Sequence, residues 1–266
     1  MKVINIKLTC CMLFMSIALV SVGQESIDTE AAALAKATQN PLAAMYSLPF
    51  QNNTTYRVGE FNRVQNVLNV QPVIPVSFKK FNLINRLIVP VITQPSTIEN
   101  TSTTGLGDIS YTAWLSPTKP SSVTWGVGPA VQLPTASSNE FGSGEFGVGP
   151  SVVALTSVKQ WVVGVVVNNV WTFGEVSENK LLFQYFVNYN LPKAWYLVSA
   201  PIMTANWNAV NDKWTVPIGA GAGKVFKLGG QPINVNAQVY YNAQKPANVG
   251  DWQSRVQVQF LFPKKK

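Results

Sequence analysis

The chain has 266 residues, and only 12% of them are charged, against about a quarter in an average soluble domain. Twenty Lys and Arg against twelve Asp and Glu give a net charge of +8, too sparse for the clustered basic surface of a nucleic-acid protein. There is no histidine, which removes the commonest general base and the commonest metal ligand together.

Residues 1–23 read as a secretory signal peptide. Lys2 and Lys7 precede an apolar run from Leu8 to Val22, and Ser21 and Gly23 supply small residues at the −3 and −1 positions. The run is roughly 15 residues long, short of the ~20 that a spanning helix needs. Cleavage after Gly23 removes both cysteines, Cys10 and Cys11, so no disulfide or thiol chemistry is expected in the mature chain. Removing Lys2 and Lys7 also lowers the net charge from +8 to +6.

Residues 24–44 form a separate N-terminal segment. It is Ala-rich through Ala31–Ala33, Leu34 and Ala35, and the spacing predicts a short helix or extended lead-in that ends at Asn40-Pro41. This segment is expected to lie in the periplasm or to act as a plug for the domain formed by residues 45–266.

From residue 45 to 266 period-two alternation replaces helical periodicity. Strands are predicted at 43–50, 64–78, 82–92, 107–116, 123–134, 145–156, 160–173, 180–190, 194–207, 213–226, 232–243 and 251–262. In the last, Val256, Val258, Phe260 and Phe262 alternate with Arg255, Gln257 and Gln259. In the one before, Ile233, Val235, Ala237, Val239 and Tyr241 alternate with Asn234, Asn236, Gln238, Tyr240 and Asn242. Around Asn82 to Ile92 the pattern does not assign the two faces. Pro72, Pro75, Pro90, Pro201 and Pro217 must sit at bulges or ladder ends.

No stretch after Gly23 is apolar for long enough to form a membrane helix, the best being Trp161 to Val167. A closed barrel can still cross a membrane, because closure pairs every backbone group. The predicted fold is therefore all-β: a transmembrane, antiparallel, up-and-down barrel of about twelve strands.

Predicted connections alternate in length. Long ones fall at 51–63, 93–106, 135–144, 174–179, 208–212 and 244–250, and short ones at 79–81, 117–122, 157–159, 191–193 and 227–231. Short periplasmic turns and longer external loops characterise outer-membrane barrels, and an even strand count puts both termini in the periplasm. Lys79, Lys80, Lys119, Lys159, Lys193 and Lys227 fall in the short set, whereas Glu60, Glu99, Glu140, Glu175, Glu178 and Asp212 fall in the long set. The tryptophans divide likewise, with Trp114, Trp125, Trp161 and Trp195 towards the short turns and Trp171, Trp207, Trp214 and Trp252 towards the long loops. Two aromatic girdles are the expectation.

Several stretches resemble the outer-membrane barrels grouped as the phenol-degradation meta-pathway family. They are Leu34–Pro41, Leu48–Asn53, Gln65–Pro75, Gly105–Asp108, Trp125–Pro129, Gly149–Leu155, Trp195–Leu197 and Gln257–Pro263. The resemblance implies an uptake channel without a catalytic site. It departs at the C-terminus, where Phe262, the aromatic that insertion machinery reads, is followed by Pro263 and three lysines.

Asn69, Gln71, Gln184, Asn188, Asn234, Asn236, Gln238, Arg255, Gln257 and Gln259 are the candidate lumen-lining residues. They could line a passage for uncharged or weakly polar solutes, with a slight anion preference from Arg255. Alternatively, they could bond to one another and fill the barrel. Gly142–Gly147 has the spacing of a dinucleotide fingerprint but no helix after it, and Gly219–Lys224 lacks the Ser or Thr of a phosphate loop. No catalytic residue, cofactor or metal is expected.

The reading is a passive outer-membrane channel for small solutes, hydrophobic or aromatic ones among them. Either the 93–106 loop or the 24–44 segment would gate it. The alternative is a structural or surface-interaction barrel. Expected partners are membrane lipid, the insertion machinery and a small-molecule solute, but not nucleic acid. The oligomeric state is left open.

Overall fold

A strand in a bilayer needs a hydrogen-bonded neighbour on each side, and the chain meets that need by pairing every strand with its sequence neighbours and the last with the first. A computed structural model describes residues 30–96, 99–119, 121–175 and 177–263. Residues 1–29, which include the expected signal peptide, and the three terminal lysines lie outside the described residues.

Fifteen β segments run in order: β1 (Tyr46–Val58), β2 (Arg63–Val70), β3 (Val73–Ser77), β4 (Phe81–Pro95), β5 (Ser102–Leu106), β6 (Ile109–Pro117), β7 (Val123–Leu133), β8 (Phe146–Val158), β9 (Trp161–Phe173), β10 (Asn179–Asn190), β11 (Trp195–Ser199), β12 (Ile202–Asn206), β13 (Trp214–Leu228), β14 (Gln231–Gln244) and β15 (Trp252–Phe262). Three pairs, β2/β3, β5/β6 and β11/β12, are single barrel strands interrupted for two residues. The result is a closed antiparallel barrel of twelve strands. Its seam joins β1 to β15, with Tyr46 opposite Phe262 and Tyr56 opposite Trp252.

The prolines explain much of the segmentation. Pro72 and Pro201 sit in two of the interruptions, and Pro217 sits at the β13 register shift. Pro90 falls where the partner of β4 changes from β6 to β5. Pro75 lies beyond the last β1 pairing of β3, Ser47 opposite Val73, so no ladder on that side needs its missing N–H.

The outer wall is apolar strand after strand: Val64, Ile74, Val91, Leu115, Val127, Val152, Val163, Leu197, Ile218, Val239 and Val256 are all exposed. A continuous apolar belt of this kind far exceeds the patches that soluble monomers carry. The inner wall holds the buried residues, in two clusters at the short-turn end. One joins Ile84, Trp114, Val153, Leu155, Val162, Val166 and Phe186 to Leu42, and the other joins Ala35 to Ala194, Val225 and Leu261.

Two predicted loops are mostly strand. Residues 51–63 shrink to a turn at 59–62, because Gln51 to Val58 continue β1 opposite both β2 and β15. The polar run Gln51 to Thr55 looked like a loop because both faces are polar there. Gln51 and Asn53 face inward, while Asn52, Thr54 and Asn66 bond to one another on the outer face at 2.9–3.1 Å. Residues 93–106 likewise resolve into the ends of β4 and β5, paired from Val91 opposite Leu106 to Pro95 opposite Ser102. The first strand, predicted at 43–50, accordingly runs from 46 to 58.

Candidate functional site: the barrel lumen

Alternation decides which side chains reach the lumen. Along β14 and β15, Asn234 pairs with Gln259, Asn236 with Gln257, and Gln238 with Arg255; β1 adds Gln51 opposite Gln257 and Asn53 opposite Arg255. Inward side chains on this wall are therefore amides around one arginine. They bond laterally: Asn234 Nδ2 donates to Gln259 Oε1 at 3.1 Å, and Gln238 Nε2 donates to Asn236 Oδ1 at 2.8 Å. Arg255 Nε donates to Asn53 Oδ1 at 2.9 Å, and its Nη1 donates to the Ala200 carbonyl at 2.7 Å.

Two tyrosines pack into this wall. Tyr196 donates to Asn234 Oδ1 at 2.7 Å, and Tyr240 bonds to Gln238 and accepts the Ala200 N–H. Gly223 on β13 leaves the space for Tyr196, and Gly219 and Gly221 let β13 lie close to the β14 backbone. A Cβ on Gly223 would overlap the Tyr196 ring, and one on Gly219 would run into the β14 backbone. The Gly219–Lys224 run is thus a smooth strand surface under aromatic rings.

The opposite wall is built differently. Trp114 was expected in a girdle, but it is fully buried, with its indole N–H donating to Ser151 Oγ at 2.9 Å. The reason is register: Trp114 stands opposite Ile84 on β4, and both share the inward face with Arg86 and Thr112. The Arg86 guanidinium lies 4.7 Å from the centre of the Trp114 ring. Trp125, Trp161, Trp171, Trp195, Trp207 and Trp252 are exposed on the outer side, and Trp214 is half-buried against Trp207, ring centres 5.5 Å apart.

Two cavities lie in series along the barrel. The lower, of about 330 Å³, is lined by all ten candidate residues, Asn69, Gln71, Gln184, Asn188, Asn234, Asn236, Gln238, Arg255, Gln257 and Gln259. The upper, of about 640 Å³, is lined by Thr112, Gln132, Asn168, Lys180 and Asn206 among others. Arg86, Ile88 and Leu182 line both and mark the junction.

Each end has its own closure. At the short-turn end residues 30–38 are helical, and the segment crosses the mouth. Ala35 is buried against Val225 and Leu261 on one side, and Leu42 packs with Trp114 and Ile84 on the other. Gln39 and Asn190 exchange two amide hydrogen bonds at 2.9 and 3.0 Å, Lys36 Nζ donates to the Lys159 carbonyl, and Glu30 pairs with Lys227. Thr38, Gln39 and Pro41 form part of the lower cavity's lining.

At the other end the long connection is 134–145. Asp108 anchors it by accepting the N–H groups of Thr135 at 3.1 Å, Ala136 at 3.0 Å and Gly144 at 3.1 Å. A Cβ on Gly105 would collide with the Phe141 ring, and one on Gly107 would collide with Ile92 and crowd the Phe141 carbonyl. Glu140, Phe141 and Ser143 border a further cavity of about 400 Å³ with Gln65, Gln94 and Lys180.

Arg86, Trp114, Tyr196 and Asp108 are not marked for this site by their sequence pattern, and Tyr240 shares the inner row of its strand without standing among the lumen candidates. Arg86 lay in the stretch whose faces the pattern left unassigned, and Asp108 lay within the Gly105–Asp108 motif that had no role attached.

No protein-family description matches the chain, and no curated protein matches it in sequence. Solved structures do match in fold. An outer membrane channel from Pseudomonas putida F1 superposes with a TM-score of 0.61 at 16% identity, over 82% of this chain and 94% of that one. The NanC porin superposes with a TM-score of 0.52 at 9% identity, over 83% of this chain and all of that one (100%). The chain therefore has the fold of outer-membrane β-barrels.

Proposed function

We propose that the chain is an outer-membrane channel for passive uptake of small solutes, with both termini in the periplasm after removal of the signal peptide. The observation that carries this is the pair of cavities in series inside an apolar-walled barrel. A barrel that served only as a scaffold could fill its interior with side chains. The outward tryptophans support placement in a bilayer, and Phe262 at the end of β15 is the aromatic offered to the insertion machinery. The resemblance to the phenol-degradation meta-pathway barrels favours hydrophobic or aromatic solutes, and the lumen supports this with one apolar and one amide-lined wall.

Residues 24–44 serve as the periplasmic plug in this reading. The outer constriction belongs to 134–145 rather than to 93–106, most of which is strand. Single-channel recording in planar bilayers and solute-driven swelling of liposomes test the proposal. A folded barrel that neither conducts nor accelerates solute uptake would overturn it.

One observation favours the alternative of a filled structural barrel: amides of β14 and β15 bond to one another, Asn234 to Gln259 and Gln238 to Asn236. That reading expects no conductance even after the plug is removed.

A further inference from the structure

The lower cavity contains two arginines and no acid. Arg86 from β4 and Arg255 from β15 both line it, and among the described residues no Asp or Glu does so. Neither arginine forms an ion pair among the described residues; the ion pairs there involve Arg57, Lys180, Lys227 and Lys245.

Their hydrogen bonding is incomplete as well. Arg86 Nε is buried without a protein acceptor, and its guanidinium is held by the face of Trp114. Arg255 is 5% exposed and uses two of its five N–H donors on Asn53 and Ala200, with the Tyr240 ring 5.3 Å away. Placing two cations without an acid in the lining of one cavity is costly unless a negative charge joins them. The fold nevertheless fixes both by register, Arg86 opposite Thr112 and Arg255 opposite Gln238 and Asn53.

The remainder of the lining restricts the anion. Ile88, Val166, Leu182, Phe186 and Ile202 give an apolar wall, and the amides of β14 and β15 supply neutral donors. A volume of about 330 Å³ is at the small end of ligand pockets and suits a compact molecule. We infer that the lower cavity is a binding site for a small organic carboxylate with an apolar body, its carboxylate held between Arg86 and Arg255 and its body against the Leu182–Phe186 wall. Guanidinium forks match carboxylate geometry, and a planar apolar group fits a wall that an inorganic anion would leave unfilled. The inference rests on the channel reading only for how the ligand arrives.

Calorimetric titration of the full chain, folded in detergent, tests the site without requiring conductance. Benzoate is the probe and benzamide its neutral counterpart. Saturable binding of one benzoate per barrel is expected, with benzamide weaker by about tenfold or more. Arg86→Gln should weaken benzoate to a similar degree and leave benzamide unchanged. Arg255→Lys, which keeps a charge and so spares the buried environment, should give a smaller loss, with retained heat-resistant gel mobility confirming a folded barrel. Equal binding of benzoate and benzamide, unchanged benzoate affinity in Arg86→Gln, or no binding at all would overturn the assignment. Displacement of benzoate by equimolar inorganic phosphate would overturn the organic part of it. A barrel that binds benzoate but never conducts would refute the channel and leave the site intact.

Discussion

The two walls of the lumen solve the same problem in opposite ways. On β14, β15 and β1 inward amides bond to one another and to Arg255, so the wall is polar. On β4, β6, β8 and β9 Ile84, Trp114, Val153 and Val166 pack as a hydrocarbon core, and the N-terminal segment completes it through Leu42. A polar wall can stand beside water, whereas an apolar wall needs a cover. The N-terminal segment provides cover at both clusters, Leu42 against Trp114 and Ile84 and Ala35 against Val225 and Leu261, and the Gln39–Asn190 amide pair ties it to β10.

Removing that cover tests the contrast most strongly. Deletion of residues 24–44 should raise single-channel conductance severalfold and expose the Trp114 cluster to water, visible as a red shift of tryptophan emission. Unchanged conductance would mean the segment does not close the path. Next in size, Trp114→Ala should lower the stability of the folded barrel by ~3–5 kcal/mol, since it empties a fully buried site and leaves Ser151 and Arg86 without their partner. Denaturant unfolding in micelles reads this directly.

On the polar wall, Gly223→Val should cost ~1–3 kcal/mol in the same assay by displacing the Tyr196 ring from β13. If it costs as much as Trp114→Ala, the two walls do not differ in how they carry stability. Asp108→Asn should weaken the anchoring of 134–145, which depends on three backbone N–H groups, and raise the noise of open-channel current with a stability loss of ~1–3 kcal/mol. The smallest effect belongs to shortening the 96–101 connection between β4 and β5, strands that stay paired to Pro95 and Ser102, which should leave conductance within error.

How much was legible beforehand tracks the same division. On β14 and β15 the alternation is clean, so Asn234, Asn236, Gln238, Arg255, Gln257 and Gln259 could be named from spacing, and they line one cavity with Asn69, Gln71, Gln184 and Asn188 of other strands. The apolar wall is hydrophobic on both faces, so period two carries no contrast there and neither Arg86 nor Trp114 could be assigned a side. Placing Trp114 with the interfacial rings relied on a rule about strand ends that knows nothing of register. The β1 error has the mirror-image cause: a stretch polar on both faces resembles a loop until its partners are known.

The sequence by itself determined the number of strands, their antiparallel order and the direction of most side chains, because alternation, proline placement and turn composition are local properties. Only the tertiary structure decided which groups meet across the lumen. The crossing of the mouth by residues 30–44, the descent of 134–145 onto Gly105 and Gly107, and the sharing of one cavity by Arg86 and Arg255 all depend on barrel closure. Closure places Tyr46 opposite Phe262, 216 residues apart, and no local pattern encodes such a distance.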